Sequence, residues 1–79
     1  MKQIITLDKL SLRQKGTVKL IKGSSEGLRR RLIDMGIIPG TQLEMCKRAP
    51  MGDPIEVILR GYYLTLRISE ARRIELEVD

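Results

Sequence analysis

The sequence predicts an all-β (mainly β) domain: a small, strongly bent barrel of five to six strands, with one short helix inserted after the first strand. Three observations predict it. Apolar and polar residues alternate over several short runs, the period of a half-buried strand. Glycine and proline punctuate the chain between those runs. One stretch alone carries the i, i+4, i+7 apolar spacing of a helix stripe.

Residues 1 to 16 hold Ile4, Leu7, Leu10 and Leu12 before Gly16. The Leu7–Leu10 spacing, with Asp8 near its start, predicts an extended lead-in, one helical turn and a loop. Thr17 to Lys22 alternates and puts Val18 and Leu20 on one face of the first strand. Gly23 stops it. Ser24 or Ser25 suits an N-cap, and Glu26 suits the first helical turn. The helix runs to Met35, with Leu28, Leu32 and Met35 on its core stripe. Arg29, Arg30, Ile33 and Asp34 lie away from that stripe. Gly36 is placed to take the left-handed conformation that ends a helix. Pro39-Gly40 fits the centre of a type II turn, where glycine accommodates φ > 0.

Leu43 and Met45 alternate with Gln42, Glu44 and Cys46 to give the second strand. A loop from Ala49 to Pro54 follows, with Met51 at its tip. The third strand is Ile55 to Arg60, with Ile55, Val57 and Leu59 inward. Gly61-Tyr62 reads as a two-residue hairpin turn. The fourth strand is Tyr63 to Ile68, with Leu64, Leu66 and Ile68 inward. Ser69 to Arg72 suits a single helical turn, and Ile74, Leu76 and Val78 form the last strand. A small sheet closing on itself would remove most exposed edges. This order of elements, with a helical turn before the final strand, is that of an SH3-like barrel.

Seventy-nine residues support a single domain, 1–79, with a thin core. Cys46 is the only cysteine, so no intrachain disulfide forms, which fits a reducing compartment. Met1 to Ile5 hold no long apolar run, so no signal peptide is expected. No stretch approaches the roughly 20 apolar residues of a membrane span. A cytoplasmic protein is expected. The net charge is +5, from 15 basic and 10 acidic residues. The two signs are interspersed, as on an ordinary solvated surface.

Three stretches together carry a family resemblance. They are Arg29 to Met45 (RRRLIDMGIIPGTQLEM), Arg48 to Val57 (RAPMGDPIEV) and Arg60 to Leu76 (RGYYLTLRISEARRIEL). They hold the Met35-Gly36 helix end, the Pro39-Gly40-Thr41 turn, the Ala49-to-Ile55 loop and the Leu66-to-Ala71 segment. The chain, over about residues 16–78, resembles the FeoA family of ferrous iron transport accessory proteins. The resemblance implies an SH3-like barrel with one inserted helix. It implies a partner too: FeoB, the membrane permease, at its cytosolic GTP-binding domain. Recruitment to the inner face of the cell membrane would follow.

The residues themselves argue for a contact module rather than an enzyme. There is no histidine, so Cys46 has no base to activate it. Gly23 to Gly27 lacks the Gly-Lys-Ser/Thr ending of a phosphate-binding loop. No cofactor is expected. A metal site would rest on the carboxylates Asp53, Glu56 and Glu70, whose spacing fits no metal motif, although ferrous iron accepts such ligands. A metal-responsive domain is the alternative reading. A nucleic-acid-binding barrel ranks behind it, because two tyrosines are the only aromatics and such barrels stack bases on aromatic rings. For partner contact the candidates are Arg29, Arg30, Ile33, Met51, Asp53 and Tyr62, apolar and aromatic side chains beside arginine. An arginine among Arg29, Arg30 and Arg31 could also reach a GTPase site in trans.

Overall fold

The chain runs β1 (Gln3–Thr6), a 3-10 turn (Leu7–Lys9), β2 (Lys15–Ile21), α1 (Glu26–Asp34), β3 (Gln42–Arg48), β4 (Ile55–Leu59), β5 (Tyr62–Leu66), α2 (Ile68–Ala71) and β6 (Ile74–Val78). The structure, a computed structural model, describes residues 1–23 and 25–79. The strands form one antiparallel sheet in the order β1-β6-β2-β3-β4-β5. The fold is mainly β, with one short helix between β2 and β3.

Three expectations are corrected here. The lead-in is a strand: Gln3 to Thr6 pair with Val78 to Glu75, which moves the helix from after the first strand to after the second. The sheet does not close, because β1 and β5 are its two ends. The hairpin turn is Arg60-Gly61, since Leu59 pairs with Tyr62. Both turn residues have positive φ, 50° and 84°, the conformation that matches the twist of the flanking strands. Tyr62 therefore belongs to β5, and Ile68 opens α2.

The core collects one face of the sheet. Val18, Ile21, Leu43, Met45, Ile55, Val57, Leu59, Leu66, Ile74, Leu76 and Val78 are buried in a single cluster with Leu7, Leu10, Leu32, Ile37 and Ala71. Alternation holds through β4 and β6, and through β3 as far as Met45. It breaks in β2, where the pairing with β6 shifts between Val18 and Leu20. The extra residue of this bulge sends Leu20 to solvent and turns Ile21 inward. A second shift, between Met45 and Lys47, puts Cys46 in a bulge of β3. Gly16 leaves room for the side chains of β6; a Cβ there would lie 3.0 Å from the Leu76 side chain.

The helix is built as its sequence suggests. The Ser25 hydroxyl accepts a hydrogen bond from the Leu28 amide at 3.2 Å, satisfying a first-turn donor; the alternative cap, Ser24, lies outside the described residues. Leu32 is buried, and Leu28 and Met35 pack partly against the core. Gly36 has φ +99°, and the Ile37 amide returns to the Leu32 carbonyl at 3.0 Å. The Thr41 amide then bonds to the Ile38 carbonyl at 3.1 Å across Pro39-Gly40, with Gly40 at φ +94°. This is the turn that redirects the chain into β3.

Candidate protein-contact surface

The partner candidates fall into two groups with different duties. At the C-terminal end of α1, Ile33 remains 39% exposed and Tyr62 40% exposed. The Tyr62 hydroxyl donates to the carbonyl of Met35, the last residue before the glycine cap. That bond ties the start of β5 to the helix end. Ile33, two residues before Met35, is thus brought to the same end of the molecule. Arg29 is committed elsewhere, because its guanidinium donates to the Ile21 carbonyl at 3.2 Å. Arg31 pairs with Glu70 of α2. Arg30 is exposed and makes no ion pair among the described residues. Of the three consecutive arginines, it is the one whose guanidinium is not held.

The second group is the Ala49–Pro54 loop. Its neck is closed by the Ala49 amide bonding to the Pro54 carbonyl at 3.0 Å, and its tip by the Gly52 amide bonding to the Ala49 carbonyl at 2.7 Å. Gly52 has φ +88°, and the Asp53-Pro54 peptide is cis. Met51 stands out of this braced loop at 92% exposure. Asp53 faces back to the fold: its Oδ1 accepts from the Ile68 amide at 3.0 Å, one of the amides at the start of α2 left without a helical partner.

Between the loop and the helix lies a groove of about 370 Å³, lined by Arg31, Met35, Pro54, Thr65, Arg67 and Glu70. None of its lining is among the partner-contact candidates of the sequence. The Arg31–Glu70 pair joins two helices far apart in the chain, so no local spacing announces it. The bond from the Arg67 amide to the Glu70 side chain, 2.9 Å, does have a local signal. It is the reach of a third-position glutamate back to the residue that precedes the helix.

The three carboxylates considered for a metal are not brought together. Asp53 is bonded at the start of α2 and Glu70 to Arg31. Glu56 lies on β4 opposite Thr65. Among the described residues no three His, Cys, Asp or Glu side chains converge. Cys46 is half-buried in its bulge, and its thiol donates weakly to the Glu44 carbonyl at 3.8 Å. Desolvation pushes its pKa up, and the nearby charges of Glu44 and Glu56 push the same way. Removal from water and negative neighbours both disfavour the thiolate. No helix among the described residues is long and apolar enough to cross a membrane.

Known proteins share this architecture. The FeoA domain model matches residues 5–78. A FeoA-like protein from Clostridium acetobutylicum, solved by NMR, is 44% identical with a TM-score of 0.87, over 99% of this chain and 90% of that one. FeoA of Stenotrophomonas maltophilia, crystallised with zinc and described as a prokaryotic SH3 domain protein, is 29% identical with a TM-score of 0.79, over 91% and 88%. The Fe(2+) transport protein A/Fe(2+) transporter FeoB fusion protein of Porphyromonas gingivalis is 32% identical over 50 residues, 63% of this chain. The chain spans only 6% of that curated relative's length. On the match over residues 5–78, the chain belongs to the FeoA domain family.

Proposed function

We propose that this chain is a non-enzymatic accessory protein of ferrous iron uptake. It works at the cytosolic face of the membrane, by contact with the GTP-binding part of a FeoB-type permease. The observation that carries this reading is the Porphyromonas gingivalis relative, which by its name joins a transport protein A to a FeoB transporter in one chain. Covalent fusion converts a meeting of two proteins into an intramolecular event, at an effective concentration of about millimolar for short flexible linkers. Such a linkage favours a pair that must touch.

The surface supplies what a contact needs. Ile33, Tyr62 and Met51 expose apolar area, and Arg30 adds an unheld guanidinium. Aromatic, methionine and arginine side chains are enriched in the buried centres of protein interfaces. Catalysis has no comparable support. The chain lacks histidine, and its one thiol has a raised pKa, the reverse of an activated nucleophile.

The test is a titration of the isotope-labelled protein with the cytosolic part of a FeoB permease, followed by amide chemical shifts. Shifts should concentrate on Arg30 to Met35, Ala49 to Pro54 and Tyr62. Arg30→Ala should weaken the complex by roughly 3- to 30-fold, the 0.7–2 kcal/mol of an interface arginine. No shifts at saturating concentration would refute the contact. GTP hydrolysis measured alongside separates two modes: an arginine acting in trans raises the rate and loses that effect in Arg30→Ala, whereas a binding module leaves the rate unchanged.

A further inference from the structure

One edge of the sheet is left open. The two-residue turn at Arg60-Gly61 makes Leu59 and Tyr62 a hydrogen-bonded pair. Val57–Leu64 and Ile55–Leu66, each two residues further on, are therefore hydrogen-bonded pairs as well. The amide and carbonyl groups of Tyr63 and Thr65 then point away from β4, to the side where the sheet ends. No other backbone group among the described residues bonds to them.

Exposed edges are ordinarily blunted by a lysine, a proline or a bulge. β5 reads Tyr-Tyr-Leu-Thr-Leu and has none of these, and its register with β4 runs without a shift. The groove described above opens beside it, running from Thr65 and Arg67 to Arg31 and Met35 of α1. A strand added to β5 would lie about 4.8 Å from it, on that side.

The charge around this edge selects the occupant. Arg60 and Arg67 bracket β5; both are exposed and neither makes an ion pair among the described residues. Glu70, the carboxylate in the groove, is held by Arg31. A second copy of this chain is a poor fit. Antiparallel self-pairing of β5 about Leu64 would set Arg67 of each copy opposite Gly61 of the other, one residue from its Arg60, and so gather two positive charges at each end of the pairing, which is unfavourable. We propose that the free edge of β5 takes up an extended acidic segment of a partner protein as a seventh strand. Backbone pairing with Tyr63 and Thr65 supplies the register, and Arg60 and Arg67 supply the preference for acidic side chains. This inference goes beyond the permease reading and does not depend on it, since it fixes the edge and the chemistry of its occupant.

The probe is the peptide acetyl-Thr-Glu-Val-Glu-Val-Glu-Thr-amide, with lysine replacing every glutamate in a control peptide. Hydrogen exchange is followed residue by residue in the full chain. The acidic peptide should slow exchange of the Tyr63 and Thr65 amides by at least about tenfold at saturation, because those amides become hydrogen-bonded. Added salt should weaken the effect, and the lysine peptide should not produce it. Thr65→Pro removes one outward amide while leaving the β4 ladder intact, and should abolish protection at Tyr63. Arg67→Glu, which leaves the backbone untouched, should weaken binding by roughly tenfold if the edge charge selects. Unchanged exchange at Tyr63 and Thr65 would overturn the proposal. Equal protection by the lysine peptide would do so too, as would protection that grows with protein concentration without peptide, the mark of a second copy. Permease binding that leaves these amides exposed, with no response to the acidic peptide, would remove the edge and spare the permease contact.

Discussion

Replacing Gly36 by alanine tests how the helix is joined to the sheet. At φ +99° a side chain is strained whatever space surrounds it, and an L-residue in left-handed backbone costs about 1–2 kcal/mol. The space is not free either. The new Cβ would stand 2.9 Å from the Tyr62 hydroxyl oxygen and 3.4 Å from Leu59 Cδ1. The tyrosine must move, and its bond to the Met35 carbonyl goes with it, a further loss of about 1 kcal/mol. The expected cost is about 2–3 kcal/mol. For a domain of this size that lowers the melting temperature by roughly 10–20 °C. Urea unfolding at constant m-value is the assay, run as a double-mutant cycle with Tyr62→Phe. Phenylalanine has no hydroxyl to displace and no bond to lose. In that background Gly36→Ala should therefore cost only the backbone strain, about 1 kcal/mol less than in the wild type. A total cost below about 0.5 kcal/mol, or strict additivity of the two substitutions, would refute the coupling of helix end to β5.

Further perturbations probe separate parts of the structure. Leu32→Ala removes the fully buried side chain of α1 and should cost about 2–4 kcal/mol in chemical denaturation; a loss under 1 kcal/mol would mean that the helix is not anchored by its core stripe. Arg48→Met keeps the unbranched apolar stem but withdraws the guanidinium from the Asp8 and Leu10 carbonyls, bonded at 2.7 and 2.8 Å. It should cost about 2–3 kcal/mol in thermal melts, with exchange rising first in the Leu7–Lys9 turn. Cys46 should react with iodoacetamide more slowly than a free thiol at pH 8, with its half-maximal rate displaced to higher pH, because the thiolate is disfavoured by burial and by Glu44 and Glu56. Glu44→Gln should shift that midpoint back down; an unchanged profile would mean the carboxylate does not act on the thiol.

What was legible in the sequence was local. The glycine that ends α1, the Pro39-Gly40 turn and the alternation of β3, β4 and β6 are each written within a few residues, and the backbone obeys them. Leu20 shows where local reading stops. Alternation puts it beside Val18, but the bulge opposite β6 decides its face, and β6 lies more than fifty residues downstream. β1 was missed for the same reason, since its four residues become a strand only by pairing with Glu75 to Val78. In the hairpin, glycine marked the turn correctly, yet Arg60 takes φ > 0 beside it, an unusual position for arginine. Among the contact candidates, the exposure of Ile33 and Met51 followed from helix spacing and loop position. The commitments of Arg29, Arg31 and Asp53 did not, because each bonds to a group of another element, beyond the reach of local spacing.

The place of β6 in the sheet has a consequence for how the protein is made. β6 lies between β1 and β2, and neither side of that trio can pair until residues 74–78 have left the ribosome. The meander from β2 to β5 needs only neighbouring strands and short turns, and hairpins close within about microseconds. β1, by contrast, waits while the chain grows from Thr6 to Ile74. At about 5–20 residues per second that is roughly 3 to 14 s. During this interval Leu7, Leu10 and Val18 lack the Leu76 and Ile74 side chains that bury them in the finished core. A nascent chain stalled before Ile74 would therefore present a sticky, half-covered sheet to chaperones and proteases. β6 works as a keystone, converting an open meander into a folded sheet.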